Sequence, residues 1–474
     1  NEDAVLVEML SNAFSVDYST SEGWEPAKHA ETKISGDNEI EISFRLSHQD
    51  KAINIYAFAM PDYHGKNQWP FIRLLLNNDT SHNPFTFLRG LEIDQLTVKI
   101  TVKGFRDVKL QNNAGALSPT NPFQIFGPQP SIGAYLNIKN ANIFNRFTKD
   151  FAIRLDWLNL PKEPGGFESY YAGYNTGIKN NSFCVGISAL SGGQFIPESE
   201  IQQKFKLFNT GITKEGIEQL AESTVFRGID FKRIEFSNEM SLMQEEKPEV
   251  LFKEGTIKIT IDSPPEAFGH KLFPQIFPKI LLHNSKRFSK ELPIPSQPFI
   301  PSVKSVSIDY KLEYTEFVKG SPTDDDAISS VRLIHQYPFG FDKIYPADER
   351  PIYPFVPKFD YPCNLYIGIK DITPGGELSL LFKLEEKNFH HTVHKSNPIV
   401  WSYLYGRNWV TLRMQDIVQD TTNNFINSGI IRLKIPPLIT KNNNAILNPD
   451  LYWLRASTHQ ITYIKSRVIA IYTH

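Results

Sequence analysis

His390, His391 and His394 place three imidazoles within a short stretch, and neighbouring imidazoles are the least that a transition-metal site requires. Lys387 and Lys395 stand close by, and no cysteine or spaced carboxylate completes a ligand set, so the stretch reads as a solvated loop. Asp324, Asp325 and Asp326 offer the hard oxygen ligands that calcium takes. Consecutive side chains rarely all point to one centre, and the spaced glycine and terminal glutamate of an EF-hand loop are missing, so this run reads as an acidic turn. Glu245, Glu246 and Glu249, with Lys247 and Lys253 nearby, read as a charged loop. No Gly-rich phosphate loop, His-Glu-x-x-His, Gly-x-Ser-x-Gly or Cys-x-x-Cys occurs. The sequence therefore points away from an enzyme and nominates no catalytic, cofactor-binding or metal-binding residue, and no cofactor.

The aromatic residues pose a different question. Trp69, Trp157, Tyr170, Tyr171 and Tyr174 could stack against the C–H faces of a sugar, but core or interface packing is the commoner fate of such side chains. A carbohydrate-binding or adhesin-type β-sandwich protein accordingly stays open as the alternative function. A glycoside hydrolase would also need two carboxylates flanking a cleft, which spacing along a chain does not reveal. Asn78-Asp79-Thr80 and Asn180-Asn181-Ser182 match the glycosylation triplet, which carries weight only in a secreted protein.

The elements that must position these residues are strands. The chain has 474 residues, of which 41% are hydrophobic and 12% aromatic, with 34 Phe and 19 Tyr, enough to fill several sheet-rich cores. Lys plus Arg number 50 against 52 Asp plus Glu, so there is no electropositive field for a phosphate backbone, and nucleic acid is not expected as a partner. Cys184 and Cys363 are sparse enough to read as incidental thiols rather than a disulfide framework. No run reaches the roughly twenty apolar residues of a membrane span. The first residues, Asn1-Glu2-Asp3, lack the features of a signal peptide, and Ile469 to His474 read as a strand, so the sequence looks like part of a longer polypeptide.

Alternation of period two is the dominant pattern: Ile40, Ile42, Phe44, Leu46; Ile53, Ile55; Ile257, Ile259, Ile261; and Ile431, Leu433, Ile435. Turn clusters such as Pro164-Gly165-Gly166, Ser191-Gly192-Gly193 and Thr373-Pro374-Gly375-Gly376 separate the runs. The expected fold is mainly β, with tandem β-sandwich-like modules and a few short helices. One helix is expected from a Thr213 cap through Ile217, Leu220 and Ala221, and a second from Pro265 to His283, broken by Pro274 and Pro278.

The chain also appears twice in outline. Leu96, Val98, Ile100, Val102 lead to Phe126-Gly127 and then to Gly133–Ile138, as Val306, Ile308, Tyr310, Leu312 lead to Phe339-Gly340 and Leu365–Ile369. Phe151–Leu155 answers Leu378–Phe382, and Ser169-Tyr170-Tyr171 answers Trp401-Ser402-Tyr403. The expected organisation is an N-terminal segment (1–33), a first β module (34–262), a broken helix with a Pro-rich connector (263–300), and a second β module (301–474).

Longer stretches resemble a known family. They are Trp69-Pro70, Val102-Lys103-Gly104, Leu110-Gln111-Asn112 with Gly115, Pro122–Pro130, Asp156-Trp157-Leu158, Leu160-Pro161 and Tyr170–Tyr174. Ala267–His270, Leu292-Pro293, Tyr337-Pro338-Phe339-Gly340, Trp401–Leu404, Asp420-Thr421-Thr422, Ser428-Gly429-Ile430 and Trp453–Ala456 extend the set. In this order they resemble the baseplate J-like wedge proteins of extracellular, phage-tail-like contractile injection systems. The resemblance implies a structural wedge that links hub and spike to sheath through protein-protein interfaces, without a catalytic residue. It implies other baseplate, hub and sheath proteins as partners in a multi-copy assembly. It also implies assembly in the bacterial cytoplasm, then residence in an injection particle that is extracellular once released.

Overall fold

The computed structural model describes residues 10–11, 13–35, 39–56, 69–77, 84–145, 147–198, 201–212, 216, 218–229, 255–286, 290–318, 331–345, 352–385, 398–441, 446–459 and 467–473. They form a mainly β protein that divides into two compact units, Thr97–Thr315 and the combination of Asn1–Leu96 with Glu316–His474.

In the N-terminal stretch, β1 (Phe14–Ser19), β2 (Trp24–Pro26), β3 (Glu31–Ser35), β4 (Glu39–Ser43) and β5 (Ile72–Leu76) give a sheet of order β2-β1-β5 and a separate β3-β4 pair. The alternating Ile40 and Ile42 lie on β4, whereas Ile53 and Ile55 lie outside any strand. The Asn54 N–H donates to the Ser19 carbonyl, so this segment is held by single bonds rather than a ladder.

The next unit contains β6 (Gln95–Phe105), β7 (Lys109–Asn112), β8 (Gly115–Leu117), β9 (Phe123–Gln124), β10 (Tyr135–Lys139) and β11 (Thr148–Leu158). It continues with β12 (Cys184–Ser191), β13 (Gln194–Ile196), β14 (Lys204–Lys206), β15 (Thr210–Ile212), β16 (Glu218–Leu220), β17 (Ser223–Phe226), β18 (Thr256–Ser263) and β19 (Ser302–Phe317). One sheet runs β13-β12-β18-β10-β7-β8, the other β17-β11-β19-β6. Ile257, Ile259 and Ile261 from the first sheet and Ile153, Leu155, Val306 and Ile308 from the second share one buried core. Their alternation along each strand is what turns one face of each sheet inward.

The remaining strands are β20 (Leu333–Tyr337), β21 (Gly340–Tyr345), β22 (Cys363–Ile369), β23 (Glu377–Glu385), β24 (Val400–Tyr405), β25 (Asn408–Thr411), β26 (Ile417–Asp420), β27 (Gly429–Lys434), β28 (Tyr452–Thr458) and β29 (Arg467–Thr473). Here β22-β28-β24-β25 forms one sheet and β26-β27-β23-β29 the other, closing on a core that includes Ile367, Leu380, Phe382, Trp401, Ile431, Leu433 and Leu454.

The two sandwiches share a strand plan. The order β10-β18-β12-β13 matches β22-β28-β24-β25, and β17-β11-β19 matches β27-β23-β29. Every one of these pairings is antiparallel. Both plans also place a two-residue turn at the same point, Gly192-Gly193 between β12 and β13 and Gly406-Arg407 between β24 and β25. Gly192 and Gly193 have φ of 55° and 83°, the left-handed pair that lets a tight hairpin follow the twist of its strands.

The repeat is phased differently from the sequence expectation. Leu96–Val102 and Val306–Leu312 fall on β6 and β19, which are neighbours in one sheet; β19 closes the first sandwich and its counterpart is β29. Ser169 and Tyr170 lie on a short helix, while Trp401–Tyr403 lies on β24, whose counterpart is β12. A strand alternating apolar and polar residues looks alike wherever it sits in the plan, so pattern alone does not fix which copy of a strand it is. The 263–300 connector likewise falls inside the unit Thr97–Thr315, because β19 beyond it is hydrogen-bonded along β11.

Two helix expectations also change. Glu218–Leu220 forms β16, paired with β15 and burying Leu220, while Thr213 and Ile217 lie outside the described residues. After α1 (Phe85–Leu88) and α2 (Phe167–Tyr170), the longest helix is α3 (Phe273–Asn284), shorter than the expected 265–283 at its start. Pro274 sits in its first turn, where the missing N–H has no intrahelical partner to lose, and only Pro278 lies inside.

Candidate functional site

Tyr170, Tyr171 and Tyr174 come together at the end of α2 and the following 3₁₀ turn (Ala172–Tyr174). Their hydroxyls face the Pro-rich connector. Tyr170 donates to the Gln297 carbonyl at 2.8 Å and Tyr174 to the Ser296 carbonyl at 2.6 Å. The Tyr171 hydroxyl donates to the Phe268 carbonyl at 3.0 Å and accepts the Phe299 N–H at 3.2 Å. Gly173 allows this approach, because a Cβ there would meet the Pro295 backbone at 2.6 Å. Behind the clasp, Phe167, Phe183, Phe208, Phe268 and Phe299 pack ring on ring, with Phe183 and Phe268 stacked at 4.5 Å between centroids. Burial pushes the Tyr171 and Tyr174 hydroxyls far above the usual tyrosine range and raises Tyr170 as well. These groups stay protonated and act as hydrogen-bond clips.

Three of the five aromatic residues weighed as a sugar platform take the commoner fate and pack into the core. Trp157, Tyr171 and Tyr174 are 2%, 2% and 4% exposed, so their faces are committed to the core. The Trp157 ring N–H donates to Thr224 at 2.9 Å, joining β11 to β17. Asn180 of one glycosylation triplet is also buried, with its side-chain oxygen accepting the Phe167 N–H.

A second constellation covers the outer face of the β22-β28-β24-β25 sheet. Tyr366, Arg455 and Ser402 are direct cross-strand neighbours, with Trp409 one row away, on the side opposite Ile367, Leu454 and Trp401. Arg455 is 4% exposed, and its guanidinium lies 4.8 Å from the Trp409 ring centroid and 5.2 Å from that of Tyr361. Phe339, in the turn between β20 and β21, closes over Trp409 and Tyr366 at 5.4 and 6.4 Å between ring centroids. Burial pulls Arg455 below the usual guanidinium range, against the opposing influence of Tyr366 and Asp360. Arg455 makes no ion pair among the described residues, and ring faces together with Tyr366 and Asp360 support its charge. Three stretches singled out in the sequence, Tyr337–Gly340, Trp401–Leu404 and Trp453–Ala456, converge here. Their aromatic content was visible in the sequence; the buried arginine linking them was not, because only the register pairs it with Tyr366 and Ser402.

His390, His391, His394, Asp324, Asp325, Asp326, Glu245, Glu246, Glu249 and Asn78-Asp79-Thr80 lie outside the described residues. Trp69 is half-buried, outside the tyrosine clasp's unit. Both cysteines are free thiols. Among the described residues no group of His, Cys, Asp and Glu is arranged to hold a metal ion, and no helix is long and apolar enough to cross a membrane.

Both constellations are made of side chains that lock elements together, which defines a repeated β-sandwich scaffold. Residues 357–468 match the family model for Baseplate protein PVC11-like, a span that takes in the second sandwich from β22 into the first residues of β29. This match supports a baseplate component of a phage-tail-like contractile injection system. No curated protein matches the chain.

Proposed function

We propose that the chain is a structural wedge subunit of a contractile-injection-system baseplate, linking hub and spike to sheath through protein-protein interfaces. The observation that carries this reading is the baseplate family match over a sandwich whose strand plan the chain builds twice. Two copies of one plan give a single subunit two comparable sets of strand edges and faces, as a part between inner and outer rings needs. In this reading the protein is made in the bacterial cytoplasm, assembles in several copies with other baseplate, hub and sheath proteins, and then belongs to the injection particle. Neither nucleic acid nor a cofactor enters the role. The burial of Trp157, Tyr171 and Tyr174 takes three of its five rings from the carbohydrate-binding alternative.

The test is deletion of the gene in a producing strain followed by electron microscopy, with the tagged full-length protein used to capture partners. The expected result is loss of complete particles and co-purification with sheath or hub proteins. Intact, contraction-competent particles from the deletion strain would overturn the proposal.

A further inference from the structure

The two sandwiches differ at one edge. In the first, β19 is flanked by β11 on one side and by β6 on the other. In the second, the counterpart β29 pairs with β23 and, among the described residues, with nothing on its far side. The first sandwich therefore shows what this fold does with that edge: it adds an antiparallel strand. The antiparallel sense follows from the side-chain and backbone contacts, which bring Thr97 to Thr315 and Gly104 to Asp309.

The composition of the two outermost strands points the same way. Natural sheets protect a solvent edge with charges, prolines or bulges. The outermost strand of the first sandwich, β6, carries Lys99 and Lys103. From Val468 to Thr473, β29 carries no charge and no proline. Its bulge lies near the N-terminal end, at Ile469, leaving Ala470–Thr473 in regular register. One row of the adjoining outer face is apolar: Ile430, Leu381 and Tyr472 lie side by side, with Tyr472 54% and Ile469 55% exposed, between rows that carry Arg432 and Lys383. An uncharged edge that ends in an apolar row fits a position that another strand covers.

We infer that the far edge of β29, unpaired among the described residues, is an acceptor for an extended segment donated by another polypeptide, laid antiparallel to Arg467–Thr473. The donated segment alternates apolar and polar residues as β6 does, with an apolar side chain opposite Tyr472. The inference rests on the fold alone and stands whether or not the partner belongs to a baseplate.

The test uses the full chain and, as probe, a synthetic peptide with the β6 sequence, Gln95 to Phe105, the strand this fold already accepts at the equivalent edge. Hydrogen exchange is followed with and without about 1 mM peptide, a concentration that reads even a weak strand addition. The expected result is exchange slowed about tenfold or more at 467–473. The protection should vanish in an Ile469→Lys/Tyr472→Lys variant. Both positions are more than half exposed, so the variant should melt as the wild type does. A variant that failed to fold would leave the wild-type exchange map to decide. Unchanged exchange at 467–473, or protection confined to β19 through exchange with its own β6, overturns the inference. So does a dimer in sedimentation without peptide that the variant abolishes, which would make the occupant a second copy's edge.

Discussion

Tyr171 shows how a residue type can be legible while its role is not. The Tyr-Tyr-Ala-Gly-Tyr stretch stands out in the sequence, but whether its rings face a ligand or a strap depends on where the connector returns, well over a hundred residues later. Tyr171→Phe keeps the ring and removes one hydroxyl, leaving the buried Phe268 carbonyl and Phe299 N–H without that partner. The expected cost is about 1–3 kcal/mol, read by urea denaturation. The same hydroxyls set an alkaline limit. Their folded pKa values are raised, so the unfolded chain releases these protons first, near the ordinary value of about 10. Their contribution is therefore complete below that pH and is lost as pH rises above it. The double change Tyr171→Phe/Tyr174→Phe should flatten the fall in urea midpoint between about pH 10 and 12; an unchanged slope would mean that other groups set the limit. Arg455 gives the opposite expectation. A buried charge held by rings without an ion pair contributes little net stability, so Arg455→Met, which preserves packing, should change stability by less than about 1 kcal/mol. Arg455→Ala, which opens a void beneath Trp409 and Phe339, should cost about 2–4 kcal/mol.

At the scale of elements, strands of strict alternation were legible and their partners were not. Ile257, Ile259 and Ile261 announce β18, and the final Ile469–Tyr472 run announces β29, since period two is a local property. Ile53 and Ile55 show the same pattern without a strand: among the described residues their segment meets the Ser19 backbone through the Asn54 N–H and forms no ladder. The helix expected around Leu220 failed for the converse reason: pairing with β15 outweighed a weak local propensity. Duplication was legible as an order of elements but not in phase, because β6 and β19 carry similar alternation and lie side by side. The shared two-residue turns are the better phase marker. Gly193 and Gly406 both have positive φ with no atom within 4 Å of an added Cβ, so Gly193→Ala and Gly406→Ala test backbone strain alone. Each should cost about 1–2 kcal/mol in chemical denaturation. A near-zero effect at either site would mean that its turn relaxes without loss and does not help fix the repeat.

For the whole molecule, the decisive point is where the chain can be cut. The Pro-rich connector at 292–301 has the composition of a linker, and a sequence-based division falls there. Physically it is part of a core: Pro295, Phe299 and Pro301 are buried, three tyrosines clip its backbone, and β19 runs beside β11 over most of its length. A fragment ending at 300 would strip the central β11 of one whole neighbour and open the core at Val303, Val306 and Ile308. Each of these side chains contributes about 1.5–3 kcal/mol on burial, so their joint loss is comparable to the stability of an entire domain. A fragment spanning Thr97–Thr315 keeps both sheets of the first sandwich, nearly all of β6 and β19, and the clasp. It should therefore fold alone, with one cooperative thermal transition and dispersed amide resonances, while the fragment 97–300 should be unfolded or aggregate. If the shorter fragment melted cooperatively, β19 would be an accessory to this sandwich, and the boundary would return to the prolines.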